Sequence, residues 1–289
     1  MTETNQFLSE VISMSICYLN GTYVPLREAC LPVTDLAIQR GIGVFDSLRT
    51  YGRRPFALTP HLERFFASAE QVHMTPPLSM DELRRIIREG ISRMDGDSEV
   101  LVRPYLTGGD ENRNGTFPSP RLFVLFEPVR RFDDRCYQDG VALLPLPQPR
   151  PHPSVKTIDY LAPSVAKGGR AEFFEALYCP DGEITEAASS SVFLAIEGVL
   201  VTAPLSRVLS SITRQVVLTL ARESGFSVEE RTPRLEELRI AQECFLASSM
   251  KEVMPVIRIG NILVGNGRPG PATRRLHHLF LQNVERWLD

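Results

Sequence analysis

Lysine is nearly missing from this 289-residue chain: of 32 basic residues only Lys156, Lys167 and Lys251 are lysine, and arginine fills the remaining positions. A guanidinium stays protonated at ordinary pH, whereas a lysine amine can lose its proton and bond to an aldehyde, so any amine chemistry is confined to those three positions. Paired cysteines are lacking too. The five cysteines, Cys17, Cys30, Cys136, Cys179 and Cys244, are odd in number, widely spread and never spaced C-x-x-C, which argues against a disulfide framework and against a zinc site; no metal is expected. No apolar run approaches the ~18 residues that span a bilayer. Met1 to Ile16 has no basic start, continuous apolar centre or small-residue cleavage site, so a cytoplasmic protein without a membrane partner is expected. Positive charge is not in excess either, with a net charge of -3 and a pI of about 6.0. The Arg53-Arg54 and Arg130-Arg131 pairs read as solvated surface, and nucleic acid is not expected as a partner.

What the chain does have is enough length for two domains and, at 43% apolar residues, enough material for a full core. Asn20-Gly21 between Ile16–Leu19 and Thr22–Pro25 predicts an opening hairpin. Val44 to Tyr51 alternates as a strand and Phe56 to Leu58 returns from it. Leu62, Phe65, Phe66, Ala69 and Val72 keep helical spacing, and Ser79 with Glu82 forms a capping box ahead of a second helix running to Met94. Strands are expected over Val100–Thr107 and Leu122–Glu127, and the polar, glycine-rich loop from Gly108 to Gly115 between them is either solvent-facing or a ligand loop. Beyond the proline-rich run from Pro145 to Pro153, a helix is expected from Pro163 to Phe174 and a hairpin turn at Asp181-Gly182. Strands at Val192–Ile196, Val199–Val201, Cys244–Ser248 and Val253–Ile259 alternate with helices at Ile212–Ser224 and Pro271–Leu288. The whole reads as an α+β protein of two domains, residues 1–129 and 154–289, joined by a connector over residues 130–153.

Lys167, in Ala166-Lys167-Gly168-Gly169-Arg170, and Lys251, beside Glu252, read as ordinary solvated charges. Lys156 follows the proline run and precedes the apolar start of a helix, a position for a buried amine. Three further features fit the same cofactor, an aldehyde-bearing phosphorylated pyridine. Glu186 is a carboxylate available to a protonated pyridine nitrogen. Ser210-Ser211-Ile212-Thr213-Arg214 opens a helix whose free amides favour a phosphate, and Ser248-Ser249 ends a strand with hydroxyls for the same oxyanion.

Taken in order, these features resemble the class IV, fold-type IV aminotransferases, the pyridoxal-phosphate family of branched-chain aminotransferases, D-amino-acid transaminases and aminodeoxychorismate lyases. The resemblance runs from about Tyr18 to Leu279. It is carried by Asn20-Gly21, by His61-Leu62-Glu63-Arg64-Phe65 like H-x-x-R-L, and by Val155-Lys156-Thr157 with Tyr160-Leu161. It continues through Asp181-Gly182 with Thr185-Glu186, Ile212-Thr213-Arg214-Gln215 like G-I-T-R, Ala241 to Phe245 like A-D-E-x-F, and Gly267 to Pro271. It implies pyridoxal 5'-phosphate as cofactor, a small N-terminal α/β domain with a larger, β-barrel-like α/β C-terminal domain that binds the cofactor, and a homodimer. Lys156 would form the Schiff base and shuttle the proton, Glu186 would meet the pyridine nitrogen, and Tyr160 would lie near the ring hydroxyl. Arg64, Ser211, Ile212, Thr213 and Ser249 would hold the phosphate, with Arg150 supporting the phosphate or the ring hydroxyl. Two places depart from the pattern: Glu186-Ala187-Ala188-Ser189-Ser190-Ser191-Val192-Phe193 stands where E-G-x-x-x-N-x-F is usual, and Ser211 replaces the glycine of G-I-T-R.

Ping-pong transamination between an amino acid and a 2-oxo acid is the expected activity. The substrate carboxylate needs a forked donor, and Arg40, Arg103 and Arg113 qualify. The pattern Arg40-Gly-x-Gly-x-Phe45-Asp46 with Arg103 and Leu106-Thr107-Gly108-Gly109 resembles a group of D-amino-acid transaminases that clamp the carboxylate with arginines, with Phe45 in the substrate pocket. A D-amino acid with 2-oxoglutarate is therefore the favoured pair of substrates. Branched-chain L-amino acids, lyase chemistry on aminodeoxychorismate, and a fold that has lost its cofactor are the alternatives.

Overall fold

The computed structural model describes residues 12–289, so the portion of the Met1–Ile16 reading that falls on residues 1–11 lies outside the described residues. Two compact units emerge: one runs up to Arg130 and takes in Val155–Asp159 and Arg286–Asp289, and the other comprises Arg131–Ser154 and Tyr160–Glu285.

The first unit is built on a seven-stranded sheet: β1 (Ile16–Leu19), β2 (Thr22–Pro25), β3 (Gly43–Phe45), β4 (Leu48–Tyr51), β5 (Arg54–Pro55), β6 (Val100–Thr107) and β7 (Arg121–Pro128). They lie in the order β2-β1-β7-β6-β4-β5, with β3 also on β6. The hairpin at Asn20-Gly21 forms with Ile16 opposite Pro25. The run read as one strand from Val44 to Tyr51 is two. Gly43 opposite Thr107 and Leu48 opposite Val102 keep one register along β6, but Pro104 stands where Asp46 passes and has no N–H to return, so the ladder is interrupted there.

The helices Leu58–Gln71 and Met80–Arg93 cover one face of this sheet, the second opened by the Ser79–Glu82 capping box. Leu58, Leu62, Phe65 and Ala69 from the first helix and Leu83, Ile87 and Ile91 from the second meet the inward residues of β6 and β7, Val100, Val102, Leu106, Val124 and Phe126, in one core. Val155 is buried in the same core. The backbone N–H of Phe45 donates to the Lys156 carbonyl at 3.0 Å, and that of Ile158 donates to the Gly43 carbonyl at 3.1 Å. Val155–Asp159, expected at the head of the C-terminal domain, therefore belongs to the first unit.

The second unit holds an eight-stranded sheet: β8 (Val141–Leu146), β9 (Glu175–Tyr178), β10 (Ser191–Ile196), β11 (Val199–Thr202), β12 (Ser227–Glu230), β13 (Ala241–Ser248), β14 (Glu252–Ile259) and β15 (Ile262–Leu263). The order is β12-β11-β10-β13-β14-β8-β9, with β15 on β14. β8 lies inside the stretch expected to be connector. Its Pro145 sits past the part paired with β14, where β9 is the partner, so the missing N–H is tolerated. The expected helix from Pro163 to Phe174 is only Leu161–Lys167, because Gly168 turns the chain into the left-handed region at φ 36. The helices Ile212–Glu223 and Pro271–Asn283 pack on each other and on β13. The latter gives way to a 3-10 turn over Val284–Trp287.

Candidate active site

In the first unit Lys156 is 9% exposed, and its backbone N–H donates to Ser68 Oγ at 3.2 Å. The close approach of this segment to β3 requires a glycine, since a Cβ on Gly43 would stand 2.9 Å from Ile158 Cδ1 and 3.1 Å from the Leu106 carbonyl oxygen. Lys156 Nζ lies 4.7 Å from the centroid of the Phe45 ring. Phe45 stacks on Tyr105 at 5.3 Å and Tyr105 on Phe123 at 4.9 Å, an aromatic row across the sheet face opposite the helices. Arg103, two residues along β6 and so on the same face, forms an ion pair with Glu127. Burial pushes the Tyr105 phenol up, against the pull of Arg103.

Arg64 meets Asp46 at two points, Nε to Oδ2 and a terminal nitrogen to Oδ1, both at 2.8 Å. His61 Nδ1 lies 2.7 Å from the same Oδ1. Burial alone would push the Asp46 carboxyl up, but the charge of Arg64 and the hydrogen bonds from Arg64 and His61 outweigh it and hold it well below the carboxylate range. Burial pushes the His61 imidazolium down against the attraction of Asp46, so His61 is neutral, and because a carboxylate can only accept, its proton sits on Nδ1. Arg40 and Arg113 are exposed: Arg40 donates to the Gln39 carbonyl at 2.9 Å, and Arg113 pairs with Glu111 at 2.6 Å.

In the second unit the carboxylate of Glu186 is buried and engaged on both oxygens, by an Arg150 nitrogen at 3.2 Å and by the Leu209 N–H at 3.2 Å. Tyr160 is half-buried at the start of the Leu161–Lys167 helix, and burial pushes its phenol up. Ser211 caps the Ile212–Glu223 helix, its Oγ accepting from the Arg214 N–H at 3.2 Å. Ile212 and Thr213 are then the first helical residues, whose amides have no carbonyl inside the helix to bond. Thr213 Oγ1, beside the amide named for the phosphate, lies 3.5 Å from the Ser249 Oγ named for the same group.

The sequence model of the family described as amino-transferase class IV matches residues 43–259. The chain belongs to this family. Over 279 residues it is 28% identical to the D-alanine aminotransferase of Staphylococcus haemolyticus, covering 94% of this chain and 99% of that one. A putative branched-chain-amino-acid aminotransferase of Methanocaldococcus jannaschii is 29% identical, over 93% of this chain and 96% of its own. Among solved structures, a T.th. branched-chain amino acid aminotransferase with pyridoxamine 5'-phosphate superposes with a TM-score of 0.88 at 26% identity, covering 96% of this chain and 99% of that one. The Escherichia coli branched-chain aminotransferase gives 0.85 at 27% identity, over 95% and 96% of the two chains. By family and fold the chain is a fold-type IV aminotransferase, and class IV aminotransferases depend on pyridoxal phosphate.

Measured against that chemistry, the donor set fits: a buried carboxylate locked in an ion pair suits a pyridinium, and a helix start flanked by hydroxyls suits a phosphate. Two readings of this class IV aminotransferase from sequence need correction. Lys251 is not a solvated charge but is buried and lies 3.0 Å from Glu175, and Lys167 donates to the Phe174 carbonyl at 3.0 Å. Sequence reasoning assigned no role to Asp46 or Glu175. The signal for Asp46 was its place in the Phe45-Asp46 pair, 18 residues before the H-x-x-R arginine it binds, whereas nothing local to Glu175 announces its partner.

Proposed function

We propose that this class IV enzyme is a pyridoxal-phosphate-dependent transaminase that moves the amino group of a D-amino acid to 2-oxoglutarate. When bound, pyridoxal phosphate supplies an aldehyde to receive the amino group and a ring that withdraws electrons from the substrate Cα. Lys156 would hold the aldehyde carbon, and its released Nζ would carry the proton from the substrate Cα to that former aldehyde carbon, and in the opposite direction in the second half-reaction. Glu186, fixed by Arg150, would accept a hydrogen bond from the pyridine nitrogen. Ser211, the Ile212 and Thr213 amides, Thr213 Oγ1, Ser249 and Arg64 would hold the phosphate, Arg64 being oriented by Asp46 and His61, and Tyr160 would face the ring hydroxyl. A homodimer is part of this proposal.

The observation that carries the substrate assignment is the row from Lys156 through Phe45 and Tyr105 to Arg103 on one sheet face, which puts a forked cation at the end of an aromatic wall. Arg103 is thereby favoured over Arg113 as one half of the carboxylate clamp, with Arg40 as the other. The relatives named D-alanine aminotransferase over nearly the full chain point the same way. The aromatic row also suits an apolar side chain, so branched-chain L-amino acids are the second reading, in line with the solved structures of that name. Assays of D-alanine, D-glutamate and L-leucine with 2-oxoglutarate separate the two. D-substrates should be preferred, and Arg103→Ala and Arg40→Ala should each cut kcat/KM for them by about ten-fold or more, the loss expected on deleting a charged hydrogen bond. Preference for L-leucine, or undiminished D-activity in both variants, would overturn the assignment.

A further inference from the structure

Lys251 has no place in the reaction just described, yet it joins two turns that do. It is 6% exposed, and its Nζ donates to Ser189 Oγ at 2.7 Å and to Ser190 Oγ at 2.8 Å. Both hydroxyls in turn donate to Glu175, at 2.8 and 3.2 Å, and the Ser189 N–H donates there as well. The ring is closed: ammonium to hydroxyls, hydroxyls to carboxylate, carboxylate 3.0 Å from ammonium. Ser189 and Ser190 form the turn that follows Glu186, in which the Ala187 N–H donates to the Ser190 carbonyl at 2.8 Å and Glu186 bridges to Ser191.

At its other end Lys251 belongs to the turn between β13 and β14 that carries Ser249. Its N–H donates to Ser248 Oγ and its carbonyl accepts from Tyr137 Oη, both at 3.3 Å. The next residue, Glu252, sits at φ 55 in the left-handed region, and its carboxylate lies 2.9 Å from His277 Nε2. A non-glycine residue is disfavoured there and persists only where its surroundings impose the shape. The turn is held from outside by these side chains.

A buried lysine–glutamate pair is weak evidence for stability, because apolar residues of similar volume often serve as well, so its contribution is better sought in geometry. We propose that Lys251, held by Glu175, is a positioning residue that ties the Ser249 turn to the turn after Glu186 and so sets a hydroxyl donor of the phosphate site, a role that rests on the cofactor reading above. It accounts for a departure from the family pattern. Ala187 and Ser191 replace the usual glycine and asparagine of the loop after Glu186, and Lys251 supplies from outside the loop the anchoring that its own residues do not.

The test compares dissociation constants for pyridoxal phosphate and for pyridoxal, which lacks the phosphate, in the wild type, in Lys251→Met and in the double variant Lys251→Met/Glu175→Leu. The pyridoxal constant divided by the pyridoxal phosphate constant reports the phosphate site and cancels effects common to both compounds. This ratio should fall by about ten-fold in both variants, the lower end of what loss of a supporting partner costs at metal centres. The double variant leaves no unpaired buried carboxylate and keeps the test valid where the single one folds poorly. A ratio within two-fold of wild type in either folded variant, with melting temperature alone changed, would overturn the positioning role. A wild type that binds pyridoxal as tightly as pyridoxal phosphate would instead overturn the cofactor reading, and this role with it.

Discussion

At the scale of single residues, the buried group Asp46, His61 and Arg64 decides how the first unit responds to acid. Asp46 is held below its ordinary value of 3.8, so below about that pH the unfolded chain binds a proton the native chain refuses, and stability present above it is lost as pH falls. His61 acts in the same direction from a higher starting point. Its imidazole is pushed down from 6.5, so the unfolded chain takes up a proton first and stability declines as pH drops through that value. The melting temperature should therefore fall between pH 7 and pH 5, before carboxylates titrate. His61→Gln should flatten the fall across that window while costing about 1–3 kcal/mol at pH 7, because Asp46 loses a buried donor. An equally steep slope in the variant would show that another group titrates there.

At the scale of elements, β3 and the Lys156 segment depend on each other through one missing Cβ. Gly43→Ala would press on Ile158 Cδ1, the far end of a side chain, and on the Leu106 carbonyl, which cannot retreat as easily. Overpacking of this kind costs about 1–3 kcal/mol and should move Lys156 with its strand. Ile158→Ala should restore part of the stability and activity lost in Gly43→Ala, as read from melting temperature and turnover in the single and double variants. Additive losses would place the strain on Leu106 alone. That dependence was half legible beforehand. The glycines at 41 and 43 stood in a pattern tied to substrate, but their spatial reason required knowing that residues 155–159 return to β3. The opening hairpin, the Ser79 capping box and the helix starting at Ile212 were readable because turn chemistry, caps and helical periodicity are local. β8, β9 and β12 were not. Pro145 masks the first, the second is four buried residues with no alternation, and the third, Ser227–Glu230, is a charged strand beside β11. Lys156 and Glu186 were found by the order of their motifs, whereas the burial of Lys251 arises from Glu175, Ser189 and Ser190, far away in sequence.

At the scale of the whole molecule, the chain buries three of its five cysteines, leaves Cys30 exposed, and carries nearly all of its positive charge on arginine. Cys17, Cys179 and Cys244 are buried, and burial pushes the thiols of the first two up to about 11 and about 12. The lysines follow the same economy: Lys251 Nζ is bonded to Ser189, Ser190 and Glu175, Lys167 Nζ is bonded to a carbonyl, and Lys156 Nζ lies over an aromatic ring. A reagent that seeks an amine should therefore find very few. If Lys156 is the amine that holds the cofactor, borohydride treatment of the protein loaded with pyridoxal phosphate should fix one pyridoxyl group per chain, and digestion with mass spectrometry should place it on the peptide containing Lys156. Lys156→Ala should remove both the label and the turnover while leaving the melting temperature of the cofactor-free protein close to wild type, since the side chain is replaced and the backbone bonds to Ser68 and Phe45 remain. A label on Lys167 or Lys251 in the wild type would reassign the reactive amine, and it would do so without disturbing the membership of the family or the fold.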